Sequence, residues 1–310
     1  MKILFISSNL IGDAILSSGI LSHIIESNKK ARITLITGPT SKQLFENFPN
    51  IEKIIVVKKK KFNLHWLILW IKILRYKWYQ VIDLRSSFLS YFIYASKRKI
   101  FIRKDDPISQ VEKLSNFMQT GKILLPKIWI SDEENLMAQS IVGDRKVIAI
   151  SPGGNWKPKI WPIENYNKLL IEIIKKYPNY KFSFMAVGSK LEEKIYIDSL
   201  FKNIPEELII NIMGTSLTLT YGCLSYSKMF IGNDSGLMHL AAASGIPTIG
   251  LFGPTRDDWY RPYGDSCFVI RTKENYNELR KNLKNSDKTM MESITVEEVI
   301  KYIEQKILIK

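Results

Sequence analysis

The chain alternates short apolar runs with longer amphipathic ones, separated by turns rich in Gly, Ser, Asn and Asp. That rhythm predicts βα units and parallel sheets, because a strand covered on both faces reads as an unbroken apolar run while a helix shows a period of about 3.6. In the first half it predicts strands near 2–7, 32–36, 53–57, 79–84 and 98–102, with helices near 13–27, 40–47, 61–75, 87–96 and 109–119. Residues 121–145 lose the period and hold Pro126 and the polar run Ser131-Asp132-Glu133-Glu134. A fresh strand, Lys146 to Ile150, restarts the cycle. Helices follow near 163–177, 190–201, 217–227 and 235–244, with strands near 180–187, 207–210, 228–232, 246–251 and 266–270. Thr295-Val296-Glu297-Glu298 reads as a capping box that starts a last helix to about Ile307. The fold class expected is α/β, with two doubly wound Rossmann-like domains at 1–145 and 146–310, each near the usual domain size of about 150 residues.

The helix predicted at 61–75 is apolar nearly all round. At about 100° per residue, Lys61, His65, Lys72 and Arg75 share one side and Trp66 and Trp70 the other. Two readings stay open: a core helix with a solvated basic stripe, and an element lying on a membrane surface. The segment is too short and interrupted to span a bilayer, which takes about 20 apolar residues.

Charge changes the picture of the first half. The formal net charge is +15, and residues 1–145 hold 23 Lys/Arg against 12 Asp/Glu. Lys53 to Lys104 contains 14 basic residues and a single acid, Asp83. Such a one-sided field recruits an anionic partner, unless it reflects a general lysine bias. Cys223 and Cys267 fall in predicted helix and strand, which implies buried free thiols and fits a reducing cytoplasm. The apolar start, Met1 to Ile6, reads as a first strand and not as a targeting segment.

Three turns carry candidate chemistry. Ser7-Ser8-Asn9-Leu10-Ile11-Gly12-Asp13 follows the first strand, where the carboxyl ends of a doubly wound sheet open on the ligand crevice. Gly12 allows a tight turn, and Asp13 stands at or near the helix N-cap, where it either caps or serves as a general base. The turn has no G-x-G-x-x-G, which disfavours a dinucleotide. The second turn, Ser151 to Pro162, has Gly153 and Gly154 for close approach of backbone N–H groups to an anion, then Asn155, and Lys159 as a point charge for phosphate.

The third is Gly232-Asn233-Asp234-Ser235-Gly236-Leu237-Met238-His239, a strand end running into a helix of small residues whose free N–H groups suit phosphate. His239, four residues after Ser235, lies one turn deeper on the same face. A further strand and small-residue loop, Thr248 to Thr255, is expected near the same crevice. With no D-x-D and three scattered histidines, no carboxylate-held metal and no cofactor is expected. The charge of a diphosphate falls to Lys159 and backbone donors.

Taken together these turns resemble the ADP-heptose:lipopolysaccharide heptosyltransferase family. The likeness is strongest at Gly12-Asp13, Lys159-Ile160-Trp161-Pro162 and Asn233 to His239, and extends weakly to Val81-Ile82-Asp83-Leu84 and Ile294 to Val299. The resemblance implies a GT-B fold, two domains facing a cleft, and inverting transfer of heptose or a related sugar to a lipopolysaccharide core or other lipid-linked acceptor. By it, Asp13 is the catalytic base; Lys159, Ser235, Gly236 and His239 hold the diphosphate; and Asp234 contacts the sugar or fixes the loop. Gly154 and Asn155 belong to the donor loop, Glu192 matches a ribose contact, Thr215 a base-side contact, and Gly12 and Arg85 lie on the acceptor side.

The sequence departs from the family where Gly19 replaces a common Pro, Arg85 a common Gln, and Gly154-Asn155 hydroxyl-bearing residues. The partners implied are a nucleotide-sugar donor, an anionic glycolipid acceptor and the cytoplasmic face of the inner membrane, with no nucleic acid. The alternatives are a UDP- or GDP-sugar enzyme or an epimerase on the same scaffold, and a non-catalytic nucleotide- or polyanion-binding module, which predicts salt-dependent nucleic-acid binding.

Overall fold

The apolar runs do form two all-parallel sheets. A computed structural model describes residues 1–58, 64–281 and 287–305, and divides into two compact units, Met1–Trp129 and Ile130–Lys310.

In the first unit β1 (Lys2–Ile6), β2 (Arg32–Thr37), β3 (Ile51–Val56), β4 (Trp78–Asp83) and β5 (Ala95–Ile100) lie in the order β3-β2-β1-β4-β5. The chain winds outward from β1 to β3, then returns to place β4 on the other side of β1, with Ile6 opposite Asp83. The reversal point therefore sits between the carboxyl ends of β1 and β4. Of the helices, α1 (Ile11–Ser27) and α3 (Gln110–Met118) pack on each other, and α2 (Leu64–Leu74) presses Leu69 and Ile73 into a core with Leu4, Ile36, Val81 and Trp78. Burying each of those two side chains contributes about 1.5–3 kcal/mol to seating α2. The edge strand β5 carries Lys97, Arg98 and Lys99 at mid-strand, charges that discourage pairing with another chain.

The Gly19 departure has a steric cause. A Cβ there would lie 2.3 Å from the Leu124 carbonyl oxygen and 2.5 Å from that of Leu125. The segment after α3 lies directly on α1 at this point, held by Lys127 N–H donating to Ser18 Oγ at 2.9 Å.

The second unit orders its strands β11-β10-β9-β6-β7-β8. They are β6 (Lys146–Ser151), β7 (Phe182–Ala186), β8 (Ile209–Asn211), β9 (Met229–Asn233), β10 (Thr248–Phe252) and β11 (Cys267–Arg271). Between and around them run α4 (Asp132–Val142), α5 (Ile163–Lys176), α6 (Lys190–Leu200), α7 (Leu217–Ser225), α8 (Gly236–Ala243), α9 (Asp257–Tyr260), α10 (Tyr276–Lys281) and α11 (Val296–Ile303). Here the winding reverses between β6 and β9, whose ends meet at Ser151 and Gly232. Thr295 and Glu298 form the expected reciprocal capping box of α11; the end expected near Ile307 lies outside the described residues.

Four expectations are corrected. The stretch 121–145 contains a regular helix, α4, whose N-cap Ser131 and Glu134 make a capping box that the polar run concealed. Its Glu134 carboxylate accepts from Ser216 and Thr218 beside α7, so the division falls after Trp129 and not after residue 145. The helix expected at 87–96 is only a 3-10 turn, Phe88–Tyr91, ahead of β5. Buried Asp83 takes bonds from the Arg85 N–H, the Ser87 N–H and the hydroxyls of Ser87 and Ser90, and Ser86 adopts φ 51°, which winds the chain into a turn around one carboxylate. On α2 the basic stripe does not face solvent as a unit: His65 is buried, and the outward face is Leu64, Leu67, Ile71 and Leu74. Lys61 lies outside the described residues.

Both cysteines are free, Cys223 buried and Cys267 half-buried, and burial pushes each thiol up to about 11, the behaviour of an unreactive structural thiol. No helix among the described residues is long and apolar enough to cross a membrane.

Candidate functional site

Both reversal points gather the residues singled out by the sequence, which is where an open parallel sheet exposes a crevice at its strand ends.

In the second unit the loop after β6 and the start of α8 flank the reversal. Asn233, fully buried at the end of β9, ties them together. Its Oδ1 accepts from the Trp161 N–H at 3.0 Å and the Tyr166 hydroxyl at 3.0 Å, and its Nδ2 donates to the carbonyls of Pro152 at 2.8 Å and Gly153 at 3.0 Å. Trp161 is buried, donates from Nε1 to the Ile294 carbonyl at 2.9 Å and meets Tyr166 edge-on at 4.8 Å. Burial pushes the Tyr166 phenol well above its ordinary value, so it stays a neutral donor. The motif residues Asn233 and Trp161 and the more distant Tyr166 thus hold the loop that carries Lys159. Sequence reasoning assigned them no role, since a buried amide that joins two loops has no local signature.

Lys159 Nζ stands 4.0 Å from Asp234 Oδ2, both side chains nearly buried. Burial raises the Asp234 carboxyl above its ordinary value, opposed by the Lys159 charge and the Thr255 hydroxyl. A Cβ on Gly154 would lie 3.9 Å from Lys159 Cε, so Gly154 and Lys159 share one side of the loop. Ser235 is the N-cap of α8 in extended conformation, but its hydroxyl makes no capping bond and, though buried, finds no partner among the described residues. The first N–H groups of α8, from Gly236, are left without a side-chain cap. His239 is buried one turn further, its N–H donating to the Ser235 carbonyl at 3.4 Å.

Glu192 closes the other side. One carboxylate oxygen accepts from Ser189 N–H at 2.7 Å and Ser189 Oγ at 2.8 Å as the capping box of α6; the other would lie 2.0 Å from a Cβ on Gly153. Only a glycine at 153 leaves room for that carboxylate. The Gly214 N–H donates to the Gly188 carbonyl at 2.8 Å, so the turn bearing Thr215 joins the same row. Thr215 Oγ1 donates to the Ile212 carbonyl at 2.8 Å and lies 3.1 Å from Thr220 Oγ1. Asn155 is exposed. Lys159, Asp234, Ser235, Gly236 and Glu192 therefore line the strand ends of one sheet, with Thr215 at the end of that row and His239 beneath it.

In the first unit Asp13 lies in the first turn of α1, but the N-cap is Leu10 and no side chain caps the helix. Capping alone does not account for Asp13. Its carboxylate faces a hollow of about 260 Å³ lined by Ser8, Ser17, Arg85, Arg103 and Gln110, among others. Ser8 Oγ donates to it at 3.3 Å, and an Arg103 nitrogen stands 4.0 Å away. Arg85 NH1 donates to Asn9 Oδ1 at 3.1 Å, its guanidinium stacks 5.0 Å over the Trp66 ring of α2, and burial lowers its ordinary value against the opposing charge of Asp83. The Gln110 side-chain Oε1 is buried with no partner among the described residues. Gly12 precedes Asp13 in the same turn. Arg103 and Gln110 were missed by the sequence reading. The one available signal was that Arg103 lies just beyond β5, at the same sheet edge.

Two doubly wound parallel units, each with polar residues gathered at its reversal point, define a GT-B-type protein. Solved structures agree on the fold. The glycosyl transferase family 9 protein of Veillonella parvula DSM 2008 superposes with a TM-score of 0.80 at 21% identity, over 100% of this chain and 97% of its own. The ADP-heptose LPS heptosyltransferase II of E. coli gives 0.76 at 20%, over 99% of both. The model of glycosyltransferase family 9 (heptosyltransferase) matches residues 113–289. The chain belongs to that family.

Among curated relatives, the lipooligosaccharide heptosyltransferase 2 of Haemophilus influenzae is 32% identical over 140 residues, 44% of this chain and 39% of the relative. The lipopolysaccharide heptosyltransferase 2 of Salmonella typhimurium is 29% identical over 51% of this chain and 47% of its own. The chain thus spans less than half the length of these two, whereas the match to the Haemophilus ducreyi lipooligosaccharide heptosyltransferase 2, at 25%, covers 87% of this chain and 88% of that protein.

Proposed function

We propose that the protein is an inverting, metal-independent glycosyltransferase that moves heptose, or a related sugar, from ADP-heptose to a lipopolysaccharide core or other lipid-linked acceptor at the cytoplasmic face of the inner membrane. The observation that carries the reading is Asp13: a helix-start carboxylate that caps nothing and faces a hollow lined by arginines and hydroxyls. In this reading Asp13 takes the proton of the acceptor hydroxyl as the hydroxyl oxygen attacks the anomeric carbon, and the bond from that carbon to the leaving diphosphate breaks. Arg85 and Arg103 meet the acceptor's anionic groups. In the second unit Lys159 and the uncapped N–H groups of α8 take up the charge of the leaving diphosphate, a task that backbone donors and one ammonium suit without a metal ion.

Asp234 fits the same scheme through its neighbour, because the Lys159 ammonium 4.0 Å away offsets the carboxylate charge beside a diphosphate. The names of the relatives support heptose and a lipid-linked acceptor. The test is transfer assayed with ADP-, UDP- and GDP-sugars against delipidated and intact core acceptor in the presence of a chelator. Turnover is expected with ADP-heptose and unaffected by chelation. Turnover with UDP- or GDP-sugars alone, or loss of turnover on chelation, would reject the reading.

A further inference from the structure

The first unit carries an apolar surface that neither its sheet nor its helices cover. On α2, Leu64, Leu67, Ile71 and Leu74 are 50%, 52%, 61% and 44% exposed. They share the side opposite buried His65, Leu69 and Ile73, as a helical period requires. The turn after β4 adds Phe88, Tyr91, Phe92 and Tyr94, all exposed, with Phe88 and Phe92 rings 4.7 Å apart. The two pieces are continuous, because Trp70 Nε1 donates to the Phe92 carbonyl at 2.9 Å. An outward helix face in an α/β domain is ordinarily polar, and a contiguous apolar patch on a soluble surface marks an interface.

Charge selects the partner. Lys72, Arg75 and Lys77 are exposed at or just beyond the end of the helix, and exposed Lys58 follows β3 ahead of it. The single acid from 53 to 104, Asp83, is withdrawn into the turn, where it holds Ser87 and Ser90 on either side of Phe88. Half-buried Trp66 and Trp70 border the patch. Leucine, isoleucine and aromatic side chains with lysine and arginine nearby, and no exposed acid among the described residues from 53 to 104, match a bilayer interface with anionic headgroups. They do not match a protein–protein interface core, which is depleted in lysine. With 11 residues α2 is about 16 Å long, enough to lie in a headgroup layer and far short of the roughly 30 Å hydrocarbon core.

We propose that the outward face of α2 and the 88–94 turn together dock the protein on an anionic lipid bilayer, with Leu67, Ile71, Phe88 and Phe92 entering the interface and the lysines meeting headgroup phosphates. Trp66, on the same helix, stacks on Arg85 of the hollow that holds Asp13, so a docked α2 sets that hollow beside the lipid surface. The inference rests on the lipid-linked reading for its purpose, and its test is independent of turnover.

The experiment is co-sedimentation of the full chain with vesicles of phosphatidylcholine alone or of phosphatidylcholine and phosphatidylglycerol in equal parts, at low and high salt, without donor or acceptor. Binding is expected to the phosphatidylglycerol vesicles and to weaken with salt. The Leu67→Ser/Ile71→Ser and Phe88→Ser/Phe92→Ser variants are expected to bind at least about tenfold more weakly. Their thermal unfolding is expected to match the parent, since the positions are exposed. No association by the parent at low salt, or equal association by parent and variants, overturns the proposal. So does a parent dimer that the same variants dissociate while vesicle binding stays unchanged, because a second copy then covers the face. If the parent binds vesicles but transfers no sugar to a delipidated acceptor, docking stands and the transferase reading fails.

Discussion

The two reversal points solve different problems with the same topology. In the second unit the crevice is built from backbone and buried groups: uncapped N–H groups at Gly236, one lysine facing a buried aspartate, and an asparagine that binds two loops. In the first unit it is built from side chains on α1, α3 and the turns after β1, β4 and β5, with Asp13 22% exposed and Arg103 50% exposed. Fixed donors suit an anion that must be held in one place, since they need no reorganisation as charge develops. A solvent-reachable carboxylate suits a proton acceptor that must be regenerated each cycle. Under the proposed function, one doubly wound topology supplies grip where its loops offer main chain and proton transfer where they offer side chains.

The largest expected effect breaks the first unit alone. Asp13→Asn keeps the shape of the hollow and removes the proposed base, so turnover is expected to fall by about 10²–10⁴ while thermal stability is unchanged; steady-state transfer kinetics check it. Turnover near that of the parent would leave the hollow without a catalytic group and erase the contrast between the units.

The next effect is confined to the second unit. Asn233→Ala removes four hydrogen bonds and strands the Trp161 N–H and the carbonyls of Pro152 and Gly153 in a buried site. Unfilled buried polar groups cost about 1–3 kcal/mol each, reduced here by any water that enters, so a loss of about 2–4 kcal/mol is expected in urea unfolding. Donor affinity should fall with it, because the same amide holds the Lys159 loop. A loss under 1 kcal/mol would show that Asn233 does not organise the loop.

The contrast between the units also explains how much of each was legible in the sequence. The second site is written in two local stretches, Ser151 to Pro162 and Gly232 to His239, so turn chemistry and the strand-to-helix crossing exposed most of it. What stayed hidden was tertiary: nothing local says that Asn233 reaches Tyr166. In the first unit Asp13 was legible as a helix-start acid, but Arg103 and Gln110 reach the hollow from other elements. The α4 helix was hidden by reading Ser131 to Glu134 as polar when it is a capping box. The apolar spacing of 87–96 permits a helix, whereas the competing bonds to Asp83 come from a residue outside that stretch. On α2 the period was legible, but which side packs was not: the sheet took His65, Leu69 and Ile73, and left leucines outward.

The most direct test of the division of labour is calorimetric binding of ADP to the parent, to Asp13→Asn and to Lys159→Met. Losing one charge-assisted contact costs about 1.5–3 kcal/mol, so the account predicts an affinity roughly 10–100-fold weaker for Lys159→Met and unchanged for Asp13→Asn. Equal affinity in parent and Lys159→Met, or a loss confined to Asp13→Asn, would contradict it.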